Sequence, residues 1–141
     1  MEALCLGITG NDDETLNMPR ILVIDDDDLT RAILREWLQE AGYDVSDTSS
    51  GDEALSRLQQ ETIDLIITDM MMPAKDGLQT ILEIRRLPQK FKIIAISSGG
   101  PTNSSRLLET AKRFGAISTL SKPFSAEQLA EAVAAGLNSG K

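Results

Sequence analysis

Five side chains in this sequence have the types that phosphoryl chemistry needs, if the fold brings them together: Asp25, Asp26, Asp69, Ser97 and Lys122. Three carboxylates crowded into one place raise one another's pKa. A hard divalent cation removes that conflict, and an all-oxygen donor set with room for water suits Mg2+. A carboxylate beside Mg2+ and a fixed lysine is placed to attack a phosphoryl group, with metal and ammonium neutralising the charge that develops on oxygen. Taken singly, the same residues have plainer readings. The run Asp25-Asp26-Asp27-Asp28 suits a solvated turn in which Asp27 or Asp28 caps a helix. A lone lysine is usually a surface residue. Asp76-Gly77 reads as a turn and helix start, and Met70, Met71 and Met72 read as packing and loop residues. Only convergence makes the five a site.

The hydropathy pattern supplies that convergence. Ile21-Leu22-Val23-Ile24 is a continuous apolar run, as in a strand buried on both faces. A helix follows with Leu29, Ile33, Leu34, Trp37, Leu38 and Ala41 at helical spacing, closed by Gly42. Tyr43 to Asp47 is a short second strand, and Ser50-Gly51-Asp52-Glu53 is a capping box opening a second helix to about Gln60. Ile63 to Thr68 is the third strand, Gly77 to Arg86 a third helix stopped by Pro88, and Phe91 to Ile96 the fourth strand. Ser97 to Pro101 is a Gly-rich loop before a fourth helix from about Asn103 to Phe114. Ile117 to Leu120 makes a fifth strand, and a second capping box, Ser125 to Gln128, opens a last helix with Leu129, Val133 and Leu137 on one face. Strands buried on both faces and joined by helices predict an α/β fold with a doubly wound parallel sheet and right-handed crossovers. In such sheets ligands sit beyond the carboxyl ends of the strands. Asp25 and Asp26 follow strand one, Asp69 follows strand three, Ser97 follows strand four and Lys122 lies just past strand five. All five are thereby predicted at one edge.

Four segments, Ile21-Leu22-Val23-Ile24-Asp25-Asp26-Asp27, Ile66-Ile67-Thr68-Asp69-Met70-Met71-Met72-Pro73, Asp76-Gly77 and Ser121-Lys122-Pro123-Phe124, occur in that order. Together they resemble the signature segments of response-regulator receiver domains of two-component systems, over about residues 20–137. The resemblance implies a five-stranded (βα)5 sheet, flavodoxin-like, with strand order 2-1-3-4-5. It implies Asp69 as phosphoacceptor, with Mg2+ held by Asp25, Asp26, Asp69 and the backbone carbonyl of Met71. Lys122 would pair with the phosphoryl group and Ser97 would move to hydrogen-bond it. The Lys122-Pro123 bond is a candidate cis peptide, a state essentially confined to X-Pro bonds. The implied partners are a sensor histidine kinase or histidine phosphotransfer protein and a downstream protein target, met through the face of helix four, strand five and helix five. Such a protein catalyses its own phosphotransfer and dephosphorylation rather than acting as an enzyme on other substrates. Two departures stand out. The position on strand five that is commonly aromatic in the family is Thr119, and Met71 and Gly99 stand where relatives often carry polar side chains, which implies slow self-dephosphorylation.

Composition narrows the remaining classes. A formal charge of −8 argues against a nucleic-acid surface and against an anionic membrane as partner. Cys5 is the single cysteine, so no internal disulfide is possible and a reducing cytoplasm fits best. No apolar run approaches the roughly 20 residues that span a bilayer. The start, Met1-Glu2-Ala3-Leu4-Cys5, lacks a secretory leader's basic and apolar regions. Residues 1–18 read as a flexible acidic tail, 19–138 as the receiver, and 139–141 as a short C-terminal tail. The expectation is a stand-alone receiver, monomeric or weakly homodimeric. The rival class is a constitutive protein-binding module that kept the fold and lost the switch. A metal-dependent phosphohydrolase fits poorly, because a second aspartate is expected two residues after the nucleophile and Met71 cannot shuttle protons.

Overall fold

The computed structural model describes residues 18–70, 77–97 and 109–138. The expected tails, Met71, the Gly-rich loop and the start of helix four lie outside them. The elements are β1 (Arg20–Ile24), α1 (Asp28–Glu40), β2 (Asp44–Thr48), α2 (Gly51–Gln60), β3 (Leu65–Asp69), α3 (Gly77–Arg85) and β4 (Lys92–Ser97). The helical residues 109–113 (α4) follow, then β5 (Ser118–Ser121) and α5 (Ala126–Asn138). One parallel sheet has the order β2-β1-β3-β4-β5, as the resemblance implied.

Alternation along the central strands builds two cores. Ile21 and Val23 of β1, Leu65 and Ile67 of β3, and Ile94 and Ile96 of β4 pack with Leu34 and Leu38 of α1 and Leu129 and Val133 of α5. The intervening Leu22, Ile24, Ile66, Ile93 and Ala95 face Ala54 and Leu58 of α2, Ile81 and Ile84 of α3, and Ala111 of α4. Apolar residues at every position of a strand are thus explained by helices on both sides of the sheet. Truncating one such residue, for example Leu38→Ala, costs roughly 2–5 kcal/mol through lost burial and the cavity left behind.

Helix ends show how the sequence stops each element. Asp27 caps α1, its side chain accepting from the Thr30 amide, and α1 closes at Ala41 before Gly42 with φ 99. At Ser125 the capping box is complete: the Gln128 amide donates to Ser125 Oγ (3.0 Å) and the Ser125 amide to Gln128 Oε1 (2.9 Å). At Ser50 only half of the expected box forms. The Glu53 amide donates to Ser50 Oγ (3.1 Å), but the Glu53 carboxylate accepts instead from the buried Thr48 hydroxyl. Thr48 ends β2 two residues before the cap, so a buried hydroxyl reaches the carboxylate first. Strand boundaries also move: β2 starts at Asp44 rather than Tyr43, while Asp69 and Ser97 are the last residues of β3 and β4 rather than the first beyond them. Parallel pairing extends onto them, Asp69 opposite Ile96 and Ser97 opposite Ser121.

Candidate functional site

Two strand ends, those of β1 and β3, carry the acidic cluster. One carboxylate oxygen from each of Asp25, Asp26 and Asp69 lies within 4.8 Å of the others. Asp25 and Asp69 are 1% and 4% exposed, whereas Asp26 is exposed. Burying two carboxylates is costly unless charge is supplied nearby. Lys122 supplies part of it, with Nζ 3.5 Å from Asp25 Oδ2 and 3.7 Å from Asp69 Oδ2. Among the described residues, one ammonium against three carboxylates leaves the cluster anionic.

Backbone bonds between the loops fix these groups. The Asp25 amide donates to Thr48 O (3.1 Å), the Met70 amide to Ile96 O (2.8 Å) and the Lys122 amide to Ser97 O (2.8 Å). Asp25 Oδ1 accepts from the Asp27 amide at 2.9 Å, which leaves Oδ2 facing Lys122. Ser97 is fully buried at the end of β4. The Lys122-Pro123 bond is cis, as expected. The structure therefore gathers Asp25, Asp26, Asp69 and Lys122, and ties Ser97 to Lys122 through the main chain. Met71 lies outside the described residues, as do Gly99 and Asp76.

Asp27, next to the cluster, does different work. The Thr30 hydroxyl, and after it the Thr30 amide, hold its carboxyl below the usual carboxylate range. A depressed folded-state pKa means that this cap is present above the ordinary range and is lost as pH falls through the lowered value.

Sequence reasoning missed one residue that touches the site. Arg31, on the first turns of α1, donates to the Asp25 carbonyl oxygen (2.9 Å), to Asp47 Oδ2 (2.8 Å) and to Asp28 Oδ1 (2.8 Å). The Asp47 hydrogen bond, before any other influence, raises its pKa further. The Asp28–Arg31 spacing of three was a visible signal. The bond to a carbonyl was not, because main-chain acceptors have no sequence signature.

The sequence pattern described as "Response regulator receiver domain" matches residues 21–134, most of the chain. The chain belongs to the response regulator receiver domain family. This receiver is 29% identical over 120 residues to the chemotaxis protein CheY of Bacillus subtilis, covering 84% of the chain and 98% of that protein. It is 26% identical over 114 residues to sporulation initiation phosphotransferase F of the same organism, covering 81% of the chain and 90% of that protein. Other relatives are longer: the chain is 32% identical to the B. subtilis alkaline phosphatase synthesis transcriptional regulatory protein PhoP over 78% of its own length but 45% of that regulator. The receiver thus spans about half the length of several curated transcriptional regulators it matches. Among solved structures, the chemotaxis response regulator CheY4 of Vibrio cholerae superposes with TM-score 0.76 at 30% identity, covering 84% of this chain and 98% of that one. A response regulator structure from Chloroflexus aurantiacus reaches TM-score 0.80 at 28% identity, covering 87% and 100%. The receiver fold places the chain in two-component signalling. Among the described residues, no helix is long and apolar enough to cross a membrane.

Proposed function

We propose that Asp69 accepts a phosphoryl group from a phosphohistidine of a sensor kinase or phosphotransfer protein, and that the acyl phosphate switches the chain's protein contacts. The observation that supports this best is the meeting of Asp25, Asp26 and Asp69 within 4.8 Å beside Lys122. The donor set fits Mg2+ on its own chemistry, being all oxygen, net anionic and partly open at Asp26. In this reading Asp25, Asp26 and Asp69 hold the ion, with the Met71 carbonyl as a further ligand. When bound, Mg2+ supplies charge neutralisation for the carboxylates and for the phosphoryl oxygens.

The chain's own residues do the rest. Asp69 ends a strand that is buried at every position, so its carboxylate is held rather than sampled among rotamers. One of its oxygens attacks phosphorus, the P–N bond breaks, and the electron pair leaves with the imidazole nitrogen. The Lys122 ammonium, 3.7 Å from Asp69 Oδ2, neutralises the charge that develops on the phosphoryl oxygens during transfer and stays paired with the group afterwards. Ser97 donates its hydroxyl to a phosphoryl oxygen. Because the Ser97 carbonyl accepts from the Lys122 amide, a shift at Ser97 is felt in the loop after β5. The output is read on the α4–β5–α5 face.

The test is intact-protein mass after incubation with acetyl phosphate, with and without Mg2+, beside Asp69→Asn. A gain of one phosphoryl group that needs both Mg2+ and Asp69 supports the switch. A folded protein that gains none, from acetyl phosphate or from phosphorylated histidine kinases, is instead a constitutive binding module.

A further inference from the structure

Three hydrogen bonds from one guanidinium point beyond the acidic cluster. Arg31 is largely buried, its side chain 17% exposed, and it spends its planar fork on three different partners. Asp47, on the edge strand β2, anchors it, and Asp47 is itself held by Arg35 from the next turn of α1. From that anchor Nη1 reaches the carbonyl of Asp25 at 2.9 Å.

The carbonyl of Asp25 and the amide of Asp26 share one rigid peptide plane. Holding that oxygen therefore orients the unit from which Asp26 departs. Asp25 has other restraints, since its amide donates to Thr48 O and its Oδ1 accepts from the Asp27 amide. Asp26 is the exposed member of the cluster and has the greater need of an imposed orientation. A lysine at position 31 would carry the charge but not the fork, and could not serve the carbonyl and Asp47 together in the same geometry.

We infer that Arg31 is a positioning residue for the divalent-cation site, setting the Asp25–Asp26 peptide so that both carboxylates face the ion. This rests on the Mg2+ reading proposed above. Charge and position make opposite demands here, which sharpens the test. If Arg31 acted only as a nearby cation, removing it would tighten Mg2+ binding by lifting repulsion. A positioning residue, when removed, loosens it.

The experiment is Mg2+ titration by calorimetry of the full chain and its Arg31→Lys, Arg31→Ala, Arg35→Ala and Asp25→Asn variants, each with a thermal melt in EDTA. Arg31→Lys, which keeps the charge, and Arg31→Ala are expected to weaken the Mg2+ dissociation constant about 10-fold, as loss of an outer partner of a metal ligand does. Arg35→Ala, which touches Asp47 but not Asp25, is expected to stay within about twofold, outside that range. In acetyl phosphate reactions of the Arg31 variants, the Mg2+ concentration for half-maximal rate rises about 10-fold while the rate at saturating Mg2+ stays nearly unchanged. Wild-type affinity, or tighter binding, in folded Arg31→Lys overturns the positioning role while leaving the Mg2+ reading intact. Wild-type protein that takes up no Mg2+ overturns the metal reading, and the positioning role with it.

Discussion

The two sides of the site are built differently. On the β1–β2 side, ion pairs and buried polar bonds cross between elements. Asp47 takes Arg31 and Arg35, Asp44 takes Arg20, Arg31 grips the Asp25 carbonyl, and Thr48 donates to Glu53. On the β4–β5 side, the edge strand is four residues long, Ser118-Thr119-Leu120-Ser121, half-buried and uncharged. Lys122 there faces across the sheet to Asp25 and Asp69 rather than to its neighbours in β5. In the proposed switch, the first side holds the metal ligands in place and the second carries the groups that respond. A phosphoryl switch needs both, since a nucleophile that moves with its reporter loses its aim.

The contrast breaks first at the residue that spans it. Lys122→Ala removes the cation that lies beside both buried carboxylates, and at saturating Mg2+ the rate of acetyl phosphate transfer is expected to fall roughly 100-fold or more. A time course of intact mass checks this, and a loss below about tenfold would move Lys122 out of the transfer step. Next comes Asp47→Ala. It strips two arginines of a shared partner that is 20% exposed, and urea unfolding is expected to show about 2 kcal/mol of destabilisation, at the upper end because a network and not a single pair is lost. A change on β5 such as Thr119→Ala breaks no ion pair and is expected to cost less than about 1 kcal/mol.

Asp69→Asn tests the anionic balance from inside. Among the described residues three carboxylates face one ammonium, so neutralising one of them relieves repulsion when no metal is present. In EDTA the variant is expected to be more stable by about 1 kcal/mol, a rise in Tm of a few degrees. Saturating Mg2+ should reverse the order, because wild type gains binding energy that the variant has lost. Equal melts under both conditions would remove the carboxylate cluster as a cation site.

Legibility in the sequence followed the same divide. Ile21 to Ile24 and Leu65 to Ile67 announced buried strands because every residue is apolar, and their carboxyl ends located Asp25, Asp26 and Asp69 before any coordinate. The order of strands came from resemblance, since neither periodicity nor spacing carries it, whereas Lys122 was located by its place just past strand five. Ser97 read as the first loop residue because a hydroxyl interrupts the apolar run, yet parallel pairing with Ser121 draws it into β4. Arg31 stayed invisible as a site residue, because its contact to Asp25 is made to the main chain and its anchor Asp47 is brought near only by the β1–β2 pairing.

The smallest effects separate the two helix caps that flank the site. Ser50 follows β2 and Ser125 precedes α5, and both sequences spell Ser-x-x-Glu/Gln, the same local signal. In the structure Gln128 closes back on Ser125, so Gln128→Ala loses one exposed bond and is expected to cost a few tenths of a kcal/mol. Glu53 instead accepts from Thr48, which is 3% exposed at the end of β2. Glu53→Ala strands a buried hydroxyl and cuts a link between α2 and the strand whose carbonyl holds the Asp25 amide, so about 1 kcal/mol is expected. Thr48→Val in the same background should recover part of that loss, because the stranded hydroxyl is gone. The double-mutant cycle in urea reads the coupling directly. A coupling near zero would mean that Glu53 is an ordinary capping residue and that the β2 side owes its rigidity to the arginine network alone.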